Sequence, residues 1–329
     1  MNDPIRLVCY HRNASDWQWI GPRTDPREFS WEYVPTPANG QKELLATSWR
    51  AVRLLQRSQA DALVMHGPFL SLRCGAIRRM LRVKAPLIAY SFHFDVDPPP
   101  AKQRLIALMA RGIDRFIVYS RAEIDHYHCI FGIPRDRIEM TYWGIRRPEP
   151  LAEPEPCVEG DYLCTIGGSA RDYRTFLAAA ALVPEIPFVA VVRPQSLEGL
   201  EVPSNVRVFV NLPYDHMANV LVHSRGTVIP LTVPARSGHS VLVLAWHHAK
   251  AVLISDVPGV RDYVRDGQNA LACPPSDPEA MASAMKRLWN DRPLCRSLGD
   301  EGLRFAQEHC TEEAIVSHFR GCLARLGLG

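Results

Sequence analysis

With 329 residues, 47% of them hydrophobic and 22% charged, the chain is long enough for two ordinary cores and is neither disordered nor collagen-like. A net charge of +3 argues against a general nucleic-acid binder, and no apolar run reaches the roughly 20 residues that a membrane-spanning helix needs. The small charge is uneven, because residues 1–150 hold 22 Lys and Arg against 15 Asp and Glu.

The opening Met-Asn-Asp-Pro lacks a signal-peptide pattern, and nine cysteines without a Cys-x-x-Cys pair read as reduced thiols of a cytoplasmic protein. Short β-rich runs then alternate with helical ones, the pattern of a parallel sheet wound with crossover helices. Strands are predicted at Arg6–Tyr10, Glu32–Val34, Ala62–Met65, Leu87–Ser91, Arg115–Tyr119 and Ile138–Thr141. Between them, Gln41–Gln56 carries Leu44, Leu45, Trp49 and Val52 at helical spacing, and Ser120 with Glu123 forms a capping box. Prolines 148, 150, 154 and 156 mark a linker. Strands resume at Tyr162–Ile166, Phe188–Val192, Val206–Val210, Thr227–Ile229 and Ala251–Ile254, and the tail is helical. The expected organisation is α/β, with two doubly wound, Rossmann-like domains and a helical C-terminal tail. The first covers 1–148, a linker 149–160, the second 161–310 and a C-terminal helix 311–329. Ligands of such sheets bind at the carboxyl ends of the strands.

Two loops carry phosphate-like chemistry. After Tyr162–Ile166 come Gly167, Gly168, Ser169, Arg171 and Arg174, where glycines permit close backbone approach and cations neutralise a diphosphate. After Thr227–Ile229, the run Arg236, Ser237, Gly238, His239 and Ser240 opens a helix whose first N–H groups and dipole favour an anion. The ordinary alternatives are a solvated Arg pair and a serine-capped turn.

The order of several further segments resembles the donor-binding half of GT-B glycosyltransferases, particularly retaining family four. These are Ala249–Leu253 for its G-K-P-V-V strand, Gly259–Val264 for G-x-x-(D/E)-x-(V/I), Asp266–Leu271 for D-G-x-N-G-x-L, and Pro275–Pro278 for P-x-D-P. Ser120, Gly132–Ile138 and Trp143–Ile145 are similar to its last helix and strand before the linker. The resemblance implies a GT-B fold with an interdomain cleft. It also implies a nucleoside-diphosphate-sugar co-substrate without any other cofactor, and Leu212 and Tyr214 near the base. Where the family has G-R-x5-K, Gly168 replaces its Arg and Arg174 its Lys, with Arg171 able to reach in. Its E-x7-E pair falls on Arg236 and Leu244, so both carboxylates are missing. Ser237–Ser240 would then take over phosphate and sugar contacts through amides, hydroxyls and the His239 ring.

His93 follows a strand where family members carry a His near the transferred sugar; the alternative is a satisfied loop histidine. Asp95 and Asp97 match a D-x-D metal motif superficially, but prolines 98–100 and the GT-B pattern favour metal independence, with Asp95 as a base for the acceptor. Arg73, Arg78, Arg79, Arg82 and Lys84 among apolar residues make a helix that either lies on an anionic membrane surface or is a solvated face. The expected activity is sugar transfer to a hydroxyl of a glycan, lipid-linked or small-molecule acceptor, with retention. Partners are the donor, that acceptor and an anionic cytoplasmic membrane, without nucleic acid. A non-catalytic GT-B subunit and a nucleotide-sugar epimerase are the alternatives.

Overall fold

A computed structural model describes residues 3–10, 24–34, 41–94, 96–151, 155–233 and 237–328. Packing divides the chain into two units, Met1–Thr141 with Glu312–Gly329, and Tyr142–Thr311.

In the first unit, strands β1 (Ile5–Tyr10), β2 (Phe29–Tyr33), β3 (Ala62–His66), β4 (Leu87–Tyr90), β5 (Arg115–Val118) and β6 (Ile138–Met140) form one parallel sheet in the order β2-β1-β3-β4-β5-β6. Its central strands β3 and β4 are apolar on both faces because helices cover both, whereas the edge strand β2 alternates buried or half-buried residues with exposed ones. Val8, Leu63, Met65, Ala89 and Val118 face α1 (Gln41–Arg57), α2 (Pro68–Met80), α3 (Pro100–Ala110) and α4 (Arg121–Phe131). The alternate residues Leu7, Cys9, Val64, Ile88 and Ile117 face Ile315, Val316, Phe319 and Leu323 of the last helix, Glu312–Arg325. The tail that the sequence suggests as a separate segment therefore supplies one apolar layer of the first unit. Its polar rim adds Arg320 to Glu28 at 2.8 Å and Tyr90 Oη with His318 Nδ1 at 3.2 Å.

The basic helix α2 is not uniformly solvated. Leu72 and Ile77 enter the core, and Arg78 turns inward to donate to the carbonyl of Gly112 (2.8 Å) and to Asp114 (2.6 Å). Arg78 is thus a brace and drops out of the expected basic face, which keeps Arg79, Arg82 and the exposed Phe69 and Met80. No helix among the described residues is long and apolar enough to cross a membrane.

The second unit has β7 (Leu163–Ile166), β8 (Phe188–Val192), β9 (Val206–Val210), β10 (Gly226–Ile229), β11 (Ala251–Ser255) and β12 (Leu271–Cys273), all parallel, in the order β12-β11-β10-β7-β8-β9. Helices α5 (Tyr173–Ala181), α6 (Tyr214–His223), α7 (His239–His247), α8 (Pro278–Asn290) and α9 (Arg292–His309) flank it, and Glu312–Arg325 is α10. On α9, Gly302 leaves room for Trp246 of α7, since a Cβ there would lie 2.1 Å from the indole. The proline-rich stretch belongs to this unit. Asn219 of α6 accepts from Cys157 N and donates to the carbonyl of Glu155, while residues 152–154 lie outside the described ones.

Candidate active site

The strand order of the second unit reverses direction at β7, because β8 and β9 lie on one side and β10 to β12 on the other. In parallel sheets of this kind ligands bind beyond the carboxyl ends of the strands at such a switch point, which is where the loops after β7 and β10 lie. The two loops are tied together: Arg171 bridges Leu231, Asp172 N donates to the carbonyl of Pro230 (3.1 Å), and Thr232 N donates to that of Ala170 (3.1 Å). Ser255 at the end of β11 fixes the same point by accepting from Leu231 N at 3.0 Å.

Gly167 turns the chain out of β7 with φ +117°, a conformation that side chains resist. The guanidinium of Arg171 lies against it, 2.9 Å from where a Cβ would be, and donates to the carbonyls of Ile166 (3.1 Å) and Ser169 (3.0 Å). Among the described residues no carboxylate pairs with Arg171. Desolvation pulls its guanidinium down to about 10, against an opposing influence of Tyr173, so it stays charged at neutral pH. Tyr173 donates to the carbonyl of Gly167 at 2.5 Å, and burial raises its phenol to about 12, which keeps it a neutral donor.

Beside this cation stands another that sequence reasoning missed. A Cβ on Gly168 would come within 2.5 Å of Cδ and 2.9 Å of Nε of Arg193, so the Arg193 side chain fills the space that a residue 168 side chain would occupy. Arg193 directly follows β8 and is exposed, with no ion pair among the described residues. Arg174 is placed differently. It is exposed on the outer side of α5 and lines a groove of about 420 Å³ with Leu177, Leu200, Glu201 and Pro203.

In the β10 loop Gly238 precedes α7 with φ +106°, and a Cβ there would meet Leu231 at 3.2 Å. The Ser237 hydroxyl is buried without a hydrogen-bond partner among the described residues, while Ser240 is exposed. The first-turn N–H groups of His239, Ser240 and Val241 have no intrahelical acceptor. The His239 ring points elsewhere. It is buried, with Nε2 2.8 Å from the carbonyl of Gly259 and the ring 4.6 Å from that of Tyr263, so it braces the turn after β11. Leu244, where the second signature Glu would stand, is a core residue of α7. Leu212 and the exposed ring of Tyr214 follow β9 at the start of α6. Arg236 lies outside the described residues.

In the first unit, His93 sits between buried Phe92 and Phe94, which anchor the loop after β4 in an aromatic cluster with Phe116, Tyr127 and Phe131. Its Nδ1 is 3.0 Å from Oε1 of fully buried Glu123. The same carboxylate accepts from Tyr119 N, Ser120 N and Ser120 Oγ, each at 3.1 Å, and from Tyr127 Oη at 3.2 Å. Tyr127 Oη in turn accepts from Phe94 N at 3.1 Å. Donation from Nδ1 to a carboxylate makes Nε2 the acceptor nitrogen of the neutral ring. The capping box was readable as a helix start; its second duty, orienting His93, was not. Asp97 is engaged by His126 Nε2 at 2.8 Å, and Asp95 lies outside the described residues. No group of metal-ligating side chains is assembled among the described residues.

Comparison with known proteins matches residues 3–144 to a glycosyl transferase 4-like domain and residues 165–291 to the glycosyl transferases group 1 family. No protein of curated function matches in sequence. Among solved structures, HepE of Anabaena in complex with UDP-glucose superposes with TM-score 0.74 at 12% identity, over 97% of this chain and 99% of that one. Sucrose-phosphate synthase of Thermosynechococcus elongatus gives 0.71 at 18%, over 99% of each chain. A glycosyltransferase of Rickettsia africae gives 0.72 at 10%, over 98% of each. At these identities the likeness establishes the fold, while the two domain matches, which together span most of the chain, establish the family. The chain belongs to the GT-B glycosyltransferases, with a glycosyl transferase 4-like first domain followed by a group 1 domain.

Proposed function

We propose that this protein transfers a sugar from a nucleoside-diphosphate sugar to a hydroxyl of a glycan, lipid-linked or small-molecule acceptor, with retention as the family implies. The observation that carries the reading is the pair Arg171 and Arg193 at the Gly167–Gly168 turn, two guanidinium groups without acidic partners among the described residues, at the switch point of the second sheet. A diphosphate is the ligand such a pair suits, because each guanidinium offers a planar fork of donors to phosphate oxygens. Bound HepE, with UDP-glucose, is a fold relative consistent with that donor class.

In the reaction the acceptor oxygen bonds to the anomeric carbon as the hydroxyl proton is lost, while the bond between that carbon and the phosphate oxygen breaks and its electron pair leaves with the diphosphate. Arg171, Arg193, the Ser237 hydroxyl and the N-terminal amides of α7 stabilise that charge, as preorganised donors do when they are aimed where charge develops. Gly167, Gly168, Ser169, Gly238 and Ser240 supply close backbone approach, and Leu212 and Tyr214 the surface for the base. These cations provide the neutralisation that a divalent ion would otherwise give, so the reading is metal-independent. On the first unit His93, held by Glu123, contacts the transferred sugar, and Asp95 takes the acceptor proton. The exposed Arg79, Arg82, Phe69 and Met80 suit a peripheral position on an anionic membrane carrying a lipid-linked acceptor.

One observation favours a second reading. With Arg236 and Leu244 at the signature positions, a subunit that binds donor and activates a partner enzyme has the same architecture. Calorimetric titration of UDP and GDP tests the donor site, with binding expected and weakened by Arg171→Ala. No heat with either nucleotide removes the proposed site, whereas binding without turnover by the isolated chain selects the subunit.

A further inference from the structure

The opposite end of the second sheet holds a basic cavity that sugar transfer does not use. It lies at the amino ends of β10 and β11, measures about 250 Å³, and is lined by Ser224, Arg225, Lys250, Arg292, Cys295 and Arg296. Ser224–Arg225 and Lys250 precede the two strands, and Arg292–Arg296 form the first turn of α9.

Four cations converge here, and the acids present do not balance them. Asp161 is shared by Arg225 (2.6 Å) and Arg292 (3.1 Å), and Asp291 is occupied as the cap of α9, accepting from Leu294 N at 2.8 Å. Arg225 is fixed by donating to the carbonyl of Trp289 (2.7 Å) and by stacking 4.1 Å over the Trp289 ring, and its Nε is buried without an acceptor. Lys250 donates to the carbonyl of Ser224 at 3.0 Å and, among the described residues, forms no ion pair; burial holds its ammonium below the ordinary lysine range. Arg296 is exposed and has no partner among the described residues. Like charges held together at partial burial are unfavourable until an anion joins them, and the positive end of the α9 dipole adds in the same direction.

We propose that this cavity is a second anion site, which takes the phosphate group of a small soluble molecule, separate from the donor loop at the carboxyl ends of the same strands. A phosphate matches it chemically: a dianion facing two unneutralised cations, with Lys250 as a compact point charge and Arg296 as a mobile fork at the rim. The depression of about 250 Å³ has room for a phosphate group, and among the described residues no exposed large apolar side chain lines it, which favours a dissolved ligand over a lipid headgroup.

The test uses the full chain carrying Arg171→Ala and Arg193→Ala, which removes the donor-loop cations, and titrates inorganic phosphate at constant ionic strength with chloride as the control. Saturable binding is expected, weakened about tenfold by either Lys250→Met or Arg296→Ala, the loss of one charge-assisted contact. Peptide-resolved alkylation gives a local reading, since phosphate should slow modification of Cys295. Arg296→Ala touches no internal partner, so it remains decisive even if Lys250→Met fails to fold. Absence of saturable binding, or binding unchanged by Arg296→Ala, overturns the proposal. With phosphatidylglycerol vesicles as the probe, co-sedimentation should not respond to Arg296→Ala; a loss there would assign the site to a lipid headgroup and overturn the soluble ligand.

Discussion

Replacing Gly168 by alanine puts a methyl group 2.5 Å from Cδ and 2.8 Å from Cγ of Arg193, far inside ordinary contact distance. What must yield is a flexible side chain rather than backbone, and Gly168 does not have the positive φ of Gly167. The fold should therefore tolerate the change, at about 0.5–1.5 kcal/mol for an off-rotamer arginine. The cost falls on the ligand instead. Moving Arg193 forfeits a charge-assisted hydrogen bond to the diphosphate, worth about 1.5–3 kcal/mol, or roughly 10- to 100-fold in Kd. Arg193→Ala should give the same loss, and the double variant should lose no more than either single one, because both act on one guanidinium. Gly168→Arg with Arg193→Ala should recover part of the affinity by supplying the cation from the other side of the same space. Calorimetry with the nucleotide that the wild type binds, beside a thermal melt, reads both quantities. Full additivity of the two single variants, or an unfolded Gly168→Ala, would refute the reasoning.

Other consequences are equally open to measurement. Glu123→Gln keeps acceptors for the helix cap but weakens the hold on His93 Nδ1, so kcat should fall about 10- to 100-fold with KM little changed, and nitrogen NMR should report mixed His93 tautomers; an unchanged tautomer with normal kcat would leave Glu123 as a cap only. Phe319→Ala empties a fully buried site between α10 and the first sheet and should cost about 3–5 kcal/mol in denaturant unfolding. A cost below about 1 kcal/mol would detach that helix from the core. Burial lowers the pKa of His247, His248 and His318, so the folded state binds fewer protons than the unfolded chain in the region below the ordinary histidine pKa. Stability from this source is complete above about pH 6.5 and is lost as pH falls through the folded values. The melting temperature should drop between pH 7.5 and 5.5, less steeply in His248→Gln, whereas a flat profile would contradict the burial.

The strands were legible because parallel sheets buried on both faces require unbroken apolar runs. Phe188–Val192, apolar throughout and buried at every residue, matches the sequence reading residue for residue. The edge strand Val206–Val210 matches as well through valines at alternate positions, although Arg207 and Val210 are exposed. The loop glycines were legible for a related reason, since Gly167 and Gly238 adopt backbone conformations that other residues avoid. Arg193 was hidden because its role depends on register: Ile166 pairs with Val191, which carries position 168 opposite position 193. No local pattern specifies that alignment. The same holds for α10, whose amphipathic spacing predicts a helix but not the sheet face that it covers, and for Arg78, whose inward turn depends on Asp114 arriving from a later loop. His239 shows the converse, a residue well placed in sequence whose ring is spent on Gly259 and Tyr263.

The central claim is turnover of a nucleotide sugar at the Gly167–Arg171 loop. It is tested most directly by incubating the full chain with a panel of nucleoside-diphosphate sugars, with and without acceptor hydroxyl compounds, and measuring released nucleotide by mass spectrometry. Release from at least one donor, slowed about tenfold or more by Arg171→Ala, is the predicted result; no release from any donor, or release indifferent to Arg171, would contradict it.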